Sequence, residues 1–335
     1  VNITSFGAIG DGLTDDTLAI QSALDYLNTI GGGTLFIPVG VYFVTNALRV
    51  YSNITIIGEN KWLSVLKLDP TKTTIPLLDC SGTVGMPKEN IVVKSVHLKH
   101  FQGSSGTSST TGACCLIFAK YIKMSTFMDN VLSDFAHCGV YLSYTMPQGA
   151  AWSINIKDNL IYNSVMQNLT SGIKLQDLAE YVEISGNRIQ YALIGIDLIN
   201  SANNRILNNT VSSEQIGIRY RHTNDAINGG KCIISNNSVN HCSGGGIYLE
   251  LMSSYSVLKQ GGCIISGNMV MLPNNYGIKV LGGMGHIISG NRILSSAAND
   301  PCVYLGDNTT HLASYALIQG NSAMCNVSGS TGIID

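Results

Sequence analysis

Four hexapeptides in the second half of the chain are near copies: Ile184-Ser-Gly-Asn187-Arg-Ile189, Ile234-Ser-Asn-Asn237-Ser-Val239, Ile265-Ser-Gly-Asn268-Met-Val270 and Ile288-Ser-Gly-Asn291-Arg-Ile293. With the related asparagines Asn130, Asn159, Asn209 and Asn321, they recur every 22 to 31 residues. That is the period of a solenoid, in which each repeat stacks on its neighbours. An asparagine at the same corner of each coil can bond the coils above and below through its amide, forming a ladder that satisfies buried polar groups.

A second landmark keeps step with the first. A small residue followed by alternating apolar positions recurs as Gly139-Val-Tyr-Leu, Gly172-Ile-Lys-Leu, Gly195-Ile-Asp-Leu, Gly217-Ile-Arg-Tyr, Gly246-Ile-Tyr-Leu, Gly277-Ile-Lys-Val and Cys302-Val-Tyr-Leu. Period-two alternation predicts strands whose first and third residues after the small one face a core, while the second and fourth face outward. Stacked in parallel about 4.8 Å apart, such strands make an all-β fold, a parallel β-helix of roughly ten coils. The segment from asparagine to small residue runs 8 to 13 residues, whereas that from small residue to the next asparagine runs 14 or 15 in some coils and 19 to 22 in others. Long loops are therefore expected to leave from one edge, as a wall beside the outward columns.

Charged residues make up only 12% of the chain and the net charge is -2. This excludes the electrostatic footprint of a protein that binds duplex nucleic acid or anionic lipid. No apolar run is long enough to span a membrane. The nine cysteines show no CxxC pair and no metal-ligand spacing. Cys232 and Cys263 occupy equal positions in their coils, which predicts buried, reduced thiols. Nothing in the sequence points to a metal or a cofactor.

The first 45 residues differ from the rest. Phe6 to Leu24 predicts a short strand, an Asp11-Gly12 turn, an N-cap at Thr14 and an amphipathic helix whose Ile20, Ala23, Leu24 and Leu27 cover the open end of the first coil. Turn and cap chemistry accounts for Asp11, Asp15 and Asp16. Gly31-Gly-Gly-Thr-Leu-Phe-Ile-Pro38 and Gly40-Val-Tyr42 then open the coils. The whole chain, 1–335, reads as one domain: cap and first coil to residue 45, then coils that stop at Gly332-Ile-Ile-Asp335 as another strand begins. A cap or trimerisation segment is expected beyond that point.

The string SFGAIGDGLTDDTLAIQSAL, followed by GGGTLFIP and GVY, resembles the opening of the pectate-lyase-like superfamily of right-handed β-helix proteins. That superfamily includes bacteriophage tailspikes, capsule depolymerases, epimerases and polygalacturonase-like glycosidases. The resemblance implies a right-handed coil and a bacterial polysaccharide as ligand. For the tailspikes it also implies a homotrimer on the virion, acting at the bacterial surface; a secreted enzyme is the alternative. The Asn-Thr-Asp, Asp-Asp and Gly-His-Gly motifs of the polygalacturonase type are missing from the coils, so the resemblance carries over no catalytic residue.

Chemistry is therefore sought on the outward columns. Two residues after each small residue stand Tyr141, Lys174, Asp197, Arg219, Tyr248, Lys279 and Tyr304. Four residues after stand Ser143, Gln176, Ile199, Arg221, Glu250, Leu281 and Gly306. Aromatic faces among charges of both signs suit a sugar chain; a solvated face with cross-strand ion pairs such as Asp197 to Arg219 is the plainer reading. If the face is catalytic, Asp197 and Glu250 are the candidate acid and base. Two coils apart, roughly 10 Å along the axis, they favour inverting hydrolysis. Arg219 and Arg221 are placed to hold an acidic sugar, with Lys174, His222, Tyr248 and Lys279 as further binding residues. His222 is expected to open the loop 222 to 231, and Trp152 and Tyr255 to stand in the loop wall. The alternatives are a lyase or epimerase, with Lys174, Arg221, His222 or Tyr248 removing the C5 proton, and a receptor fibre that only binds. The Ser- and Thr-rich segment from Ser104 to Gly112 is expected to be a flexible surface loop.

Overall fold

A computed structural model describes residues 1–100, 115–143, 153–164, 170–222, 229–251, 260–271, 273, 275–283, 285–295, 302–306 and 316–325. Trp152, Tyr255, the segment from Ser104 to Gly112 and the terminal Gly332 to Asp335 lie outside the described residues. The fold is a right-handed parallel β-helix, with short strands in three parallel sheets of 12, 10 and 11 members. Two compact units are distinguished, residues 1–173 and 174–335.

The first unit opens with the helical cap. The helix is Thr17–Thr29, and Asp11–Asp15 is a strand paired in parallel with Gly40–Val44. The helix thus starts three residues beyond the expected cap at Thr14, for a reason visible in the three aspartates. Asp11 Oδ1 accepts from the backbone N–H groups of Leu13 and Thr14, which turns Thr14 outward before the helix begins. Asp15 accepts from the Thr17 N–H, and Asp16 is drawn back to the N–H groups of Ile9 and Gly10 at 2.6 and 3.1 Å. All three carboxylates are consumed by such bonds, Asp15 also accepting from Thr45 Oγ1 thirty residues on at 2.7 Å. The apolar stripe lies where its spacing puts it, with Ile20, Ala23, Leu24 and Leu27 all at 0 to 2% exposure.

In the second unit the two sequence landmarks become two columns. The Asn209 N–H and Nδ2 both donate to Asn237 Oδ1, at 2.9 and 3.0 Å. Asn237 Nδ2 in turn donates to Ile206 O and Asn268 Oδ1, at 2.9 and 3.0 Å. The same pattern links Asn187 to Asn209, Asn268 to Asn291 and Asn291 to Asn321. The first unit carries its own rung, Asn130 to Asn159.

The small-residue column has an equally simple cause. A Cβ on Gly195, Gly217 or Gly246 would run into Val211, Val239 or Val270, apolar side chains crossing the core from the next sheet. Behind this column Ile196, Ile218, Ile247 and Ile278 stack with Leu198, Tyr220, Leu249 and Val280, all at 0% exposure. Each such side chain contributes about 1.5–3 kcal/mol by burial. All seven cysteines with described side chains, Cys232 and Cys263 among them, are buried thiols rather than disulfides.

Candidate functional site

Parallel pairing fixes which outward side chains are neighbours. In the 10-stranded sheet, Ile194–Ile199 pairs with Ile216–His222, then Gly245–Leu251, Ile278–Leu281 and Val303–Gly306. The register sets Asp197 opposite Arg219, Arg219 opposite Tyr248, Tyr248 opposite Lys279 and Lys279 opposite Tyr304. A second row, Ile199, Arg221, Glu250, Leu281 and Gly306, runs beside it. The two rows deduced from spacing are real rows. Lys174, in Ser171–Gln176, occupies the next strand of the same sheet and is partly buried.

The first pair is a tight ion pair. Arg219 Nε and Nη2 donate to Asp197 Oδ1 and Oδ2, both at 2.8 Å, with the side chains 16% and 3% exposed. A planar fork meeting a carboxylate in this way is the strong form of the interaction. It also qualifies the candidate role of Asp197, whose two oxygens are committed to Arg219 beneath the surface. The plainer expectation, a cross-strand ion pair, describes this part of the face.

Next along the row lies an aromatic group that spacing did not fully reveal. Lys279 Nζ stands 5.6 Å from the Tyr248 ring, 5.5 Å from Tyr276 and 5.2 Å from Tyr304. Tyr248 and Tyr276 pack with centroids 5.7 Å apart, tilted by 50°. An ammonium set among three ring faces is held by cation–π attraction. Tyr276 was missed because it sits just before Gly277, off the outward positions. Its signal was the Gly244-Gly245-Gly246 run one coil earlier. Gly245 has φ +143°, and a Cβ there would run into the Tyr276 ring.

Glu250 and Arg221 complete the face. Burial first, then the charge of Glu250 and its hydrogen bond, push the Tyr248 phenol up to about 12, against the pull of Arg221 and Arg219. Burial raises Tyr276 further still. Arg221 stands opposite Glu250, yet its buried Nε has no hydrogen-bond partner among the described residues. Glu250 and Arg221 are thus less committed than Asp197 and Arg219.

His222 is a correction. It is the last residue of its strand, not the start of a loop, and lies opposite Leu251 at 1% exposure. Alternation explains this, since the residue after outward Arg221 must point inward. His222 does not belong to the outward face. Nor is that face fully exposed: Asp197 is 2% and Leu281 3% accessible, and Tyr141 and Ser143, expected to point outward, are buried at 1% and 2%, while the other members are partly buried. Among the described residues no cluster of three or more His, Cys, Asp or Glu converges to hold a metal. No described helix is long and apolar enough to cross a membrane.

Known proteins give this geometry a context. The chain is 24% identical over 304 residues to the SPbeta prophage-derived protein YomE of Bacillus subtilis, covering 88% of this chain and 42% of that one. A 74-residue segment is 42% identical to the mannuronan C5-epimerase AlgE3 of Azotobacter vinelandii, covering 20% of this chain and 4% of the epimerase. The chain therefore spans less than half the length of either relative. Among solved structures, the Dettilon tailspike protein superposes with a TM-score of 0.73 at 19% identity, over 99% of this chain and 65% of that one. The A-module of the Azotobacter vinelandii epimerase AlgE6 superposes with a TM-score of 0.61 at 15% identity, over 100% and 99%. At such identities the superpositions speak for the coil alone. The family model described as rhamnogalacturonase A/epimerase, pectate lyase-like, matches residues 1–297, and the chain belongs to that family.

Proposed function

We propose that the chain binds and depolymerises a carboxylate-bearing polysaccharide of the bacterial surface, by hydrolysis on the outward face of its 10-stranded sheet. The observation that carries this reading is the in-register row Asp197, Arg219, Tyr248, Lys279 and Tyr304, with Glu250 and Arg221 beside it. Tyrosine rings offer flat platforms for sugar faces, and the cations meet acidic groups along the polymer. Glu250 is the proton-transfer group, hydrogen-bonded to the Tyr248 phenol and set opposite Arg221. Asp197 is the second carboxylate. A sugar carboxylate arriving at Arg219 competes for the guanidinium fork, and its success releases Asp197 to activate water.

Elimination or epimerisation at C5 is the second reading, with Tyr248 as the base between Arg219 and Arg221. It ranks lower because a phenol pushed up to about 12 is costly to deprotonate near neutral pH. The likeness to a tailspike and to mannuronan C5-epimerases supports a polysaccharide ligand under either reading. The tailspike likeness also favours a homotrimer on a phage tail over a secreted enzyme.

The test is incubation with acidic capsular polysaccharide. New reducing ends without ultraviolet absorbance mean hydrolysis, and both together mean elimination. Retention of the polymer with neither means an epimerase where NMR of the recovered polymer shows inverted C5 centres, and a binding fibre where it does not. Glu250→Gln and Asp197→Asn each abolish cleavage on this reading, and full activity in both removes the site. Sedimentation of the purified chain reports the trimer.

A further inference from the structure

A second polar concavity in the same unit lies on a different sheet. Its floor is made by three neighbouring strands of the 12-stranded sheet, Arg188–Gln190, Thr210–Ser212 and Ser238–Asn240. The register puts Gln190 opposite Ser212 and Ser212 opposite Asn240, a row of amide, hydroxyl and amide. The cleft measures about 530 Å³, within the range of small-molecule sites. Its rim comes from turns leading toward the 10-stranded sheet. Tyr191 stands there at 51% exposure, held in the left-handed region at φ 56°, with His241 at φ 54° on the same rim.

Three features separate this cleft from an ordinary surface groove. The first is composition. Amides and hydroxyls both donate and accept, which is what sugar hydroxyls do, and an exposed phenol ring at the edge can stack on a pyranose face. The second is charge. Arg188 and Glu214 both line the cleft and offset one another, so it has no excess cation to select an anion. The third is an unmet bond. Asn240 Oδ1 is buried with no hydrogen-bond partner among the described residues, although buried polar atoms are normally satisfied. A rotation of the Asn240 amide is needed to bring this acceptor to a ligand hydroxyl in the cleft.

We infer that this cleft is a second saccharide site, which takes an uncharged hexose unit through the Gln190, Ser212 and Asn240 row, with Tyr191 as the stacking platform. It shares the ligand class of the proposed function, but rests on separate residues and prefers a neutral sugar where the Arg219 to Tyr304 row prefers an acidic one. A polymer of alternating acidic and neutral units would engage both.

The experiment uses the full chain and three neutral trisaccharides built from glucose, galactose and mannose. Saturation-transfer NMR is expected to show millimolar binding of at least one. Tyr191→Ala and Gln190→Ala should each weaken it by about tenfold, the loss of one stacking or bidentate contact. Glu250→Gln and Lys279→Met should leave it unchanged, because they alter the other face. Circular dichroism verifies that each variant is folded. Absence of binding for all three sugars overturns the inference, as does binding lost in the Lys279 variant and kept in the Tyr191 variant. Neither result touches cleavage of acidic polysaccharide, which tests the proposed function on its own.

Discussion

The asparagine ladder and the charged row are both columns of outward or corner residues stacked coil on coil in the same unit, but they use repetition in opposite ways. In the ladder every coil supplies the same side chain, and each amide serves its neighbours as Asn237 serves Asn209, Ile206 and Asn268. In the row every coil supplies a different side chain, from Asp197 through Arg219 and Tyr248 to Lys279. A uniform column repeats one solved hydrogen-bonding problem. A varied column makes each position depend on the chemistry of its neighbour, and that leaves some groups, such as Arg221 Nε, without a partner among the described residues. The comparison locates uniform hydrogen bonding at the corner and less committed groups on the face.

Breaking the ladder should have the largest effect. Asn237→Ala removes five hydrogen bonds and strands buried groups above and below, so stability should fall by about 4 kcal/mol. Asn321→Ala, at the last described rung, should cost about 1 kcal/mol. Urea denaturation of both measures the difference, and equal losses would show that the ladder is not cooperative along its length.

The ion pair comes next, as the one part of the row that behaves like architecture. Asp197→Ala leaves the Arg219 guanidinium buried without its carboxylate, at a cost of about 3 kcal/mol. The double variant Asp197→Leu with Arg219→Leu should recover most of that loss. A double variant no more stable than the single one would mean that the loss comes from packing rather than charge.

Glu250→Gln should sharpen the contrast from the other side. Stability should change by no more than about 0.5 kcal/mol, while cleavage of acidic polysaccharide falls by about 100-fold or more, the lower range for a lost general acid. A Glu250 variant as unstable as the ladder variants would place this carboxylate with the framework.

The smallest effect concerns Tyr248. Its phenol is raised from 10.0 to about 12 by burial first and Glu250 second. The folded state therefore holds this proton more tightly than the unfolded chain. The stability linked to it is fully present below pH 10 and is lost as pH rises toward 12. Tyrosinate absorbance should show several late-titrating groups, Tyr276 among them, and the one near 12 should disappear in Tyr248→Phe and move down in Glu250→Gln.

The coil was legible from the sequence because its causes are local and periodic. Asparagine spacing, glycine followed by alternating apolar residues, and the Ile20 to Leu27 helical stripe each needed only the period of a strand or a helix. The neighbours along the outward row were legible for the same reason, since parallel stacking turns equal positions in the repeat into contacts. The residues that went astray lie where the period gives no answer. His222 was placed in a loop because strand length was read from the repeat, whereas the strand runs one residue further and alternation turns the ring inward. Thr14 was read as a cap because Asp15 and Asp16 follow it, although those carboxylates serve Thr17, Ile9 and Gly10.

What the sequence determined by itself was the stack: which residues repeat, which face the core, and which fall into line. Only the tertiary structure decided what that line does. Asp197 is taken up by Arg219, Tyr276 turns into the row through the space left by Gly245, and three rings close on Lys279. The reason is physical: a repeat fixes the roughly 4.8 Å step between coils, but charge pairing and ring packing depend on the rotamer and burial of each side chain. Those are set by neighbours that no period encodes.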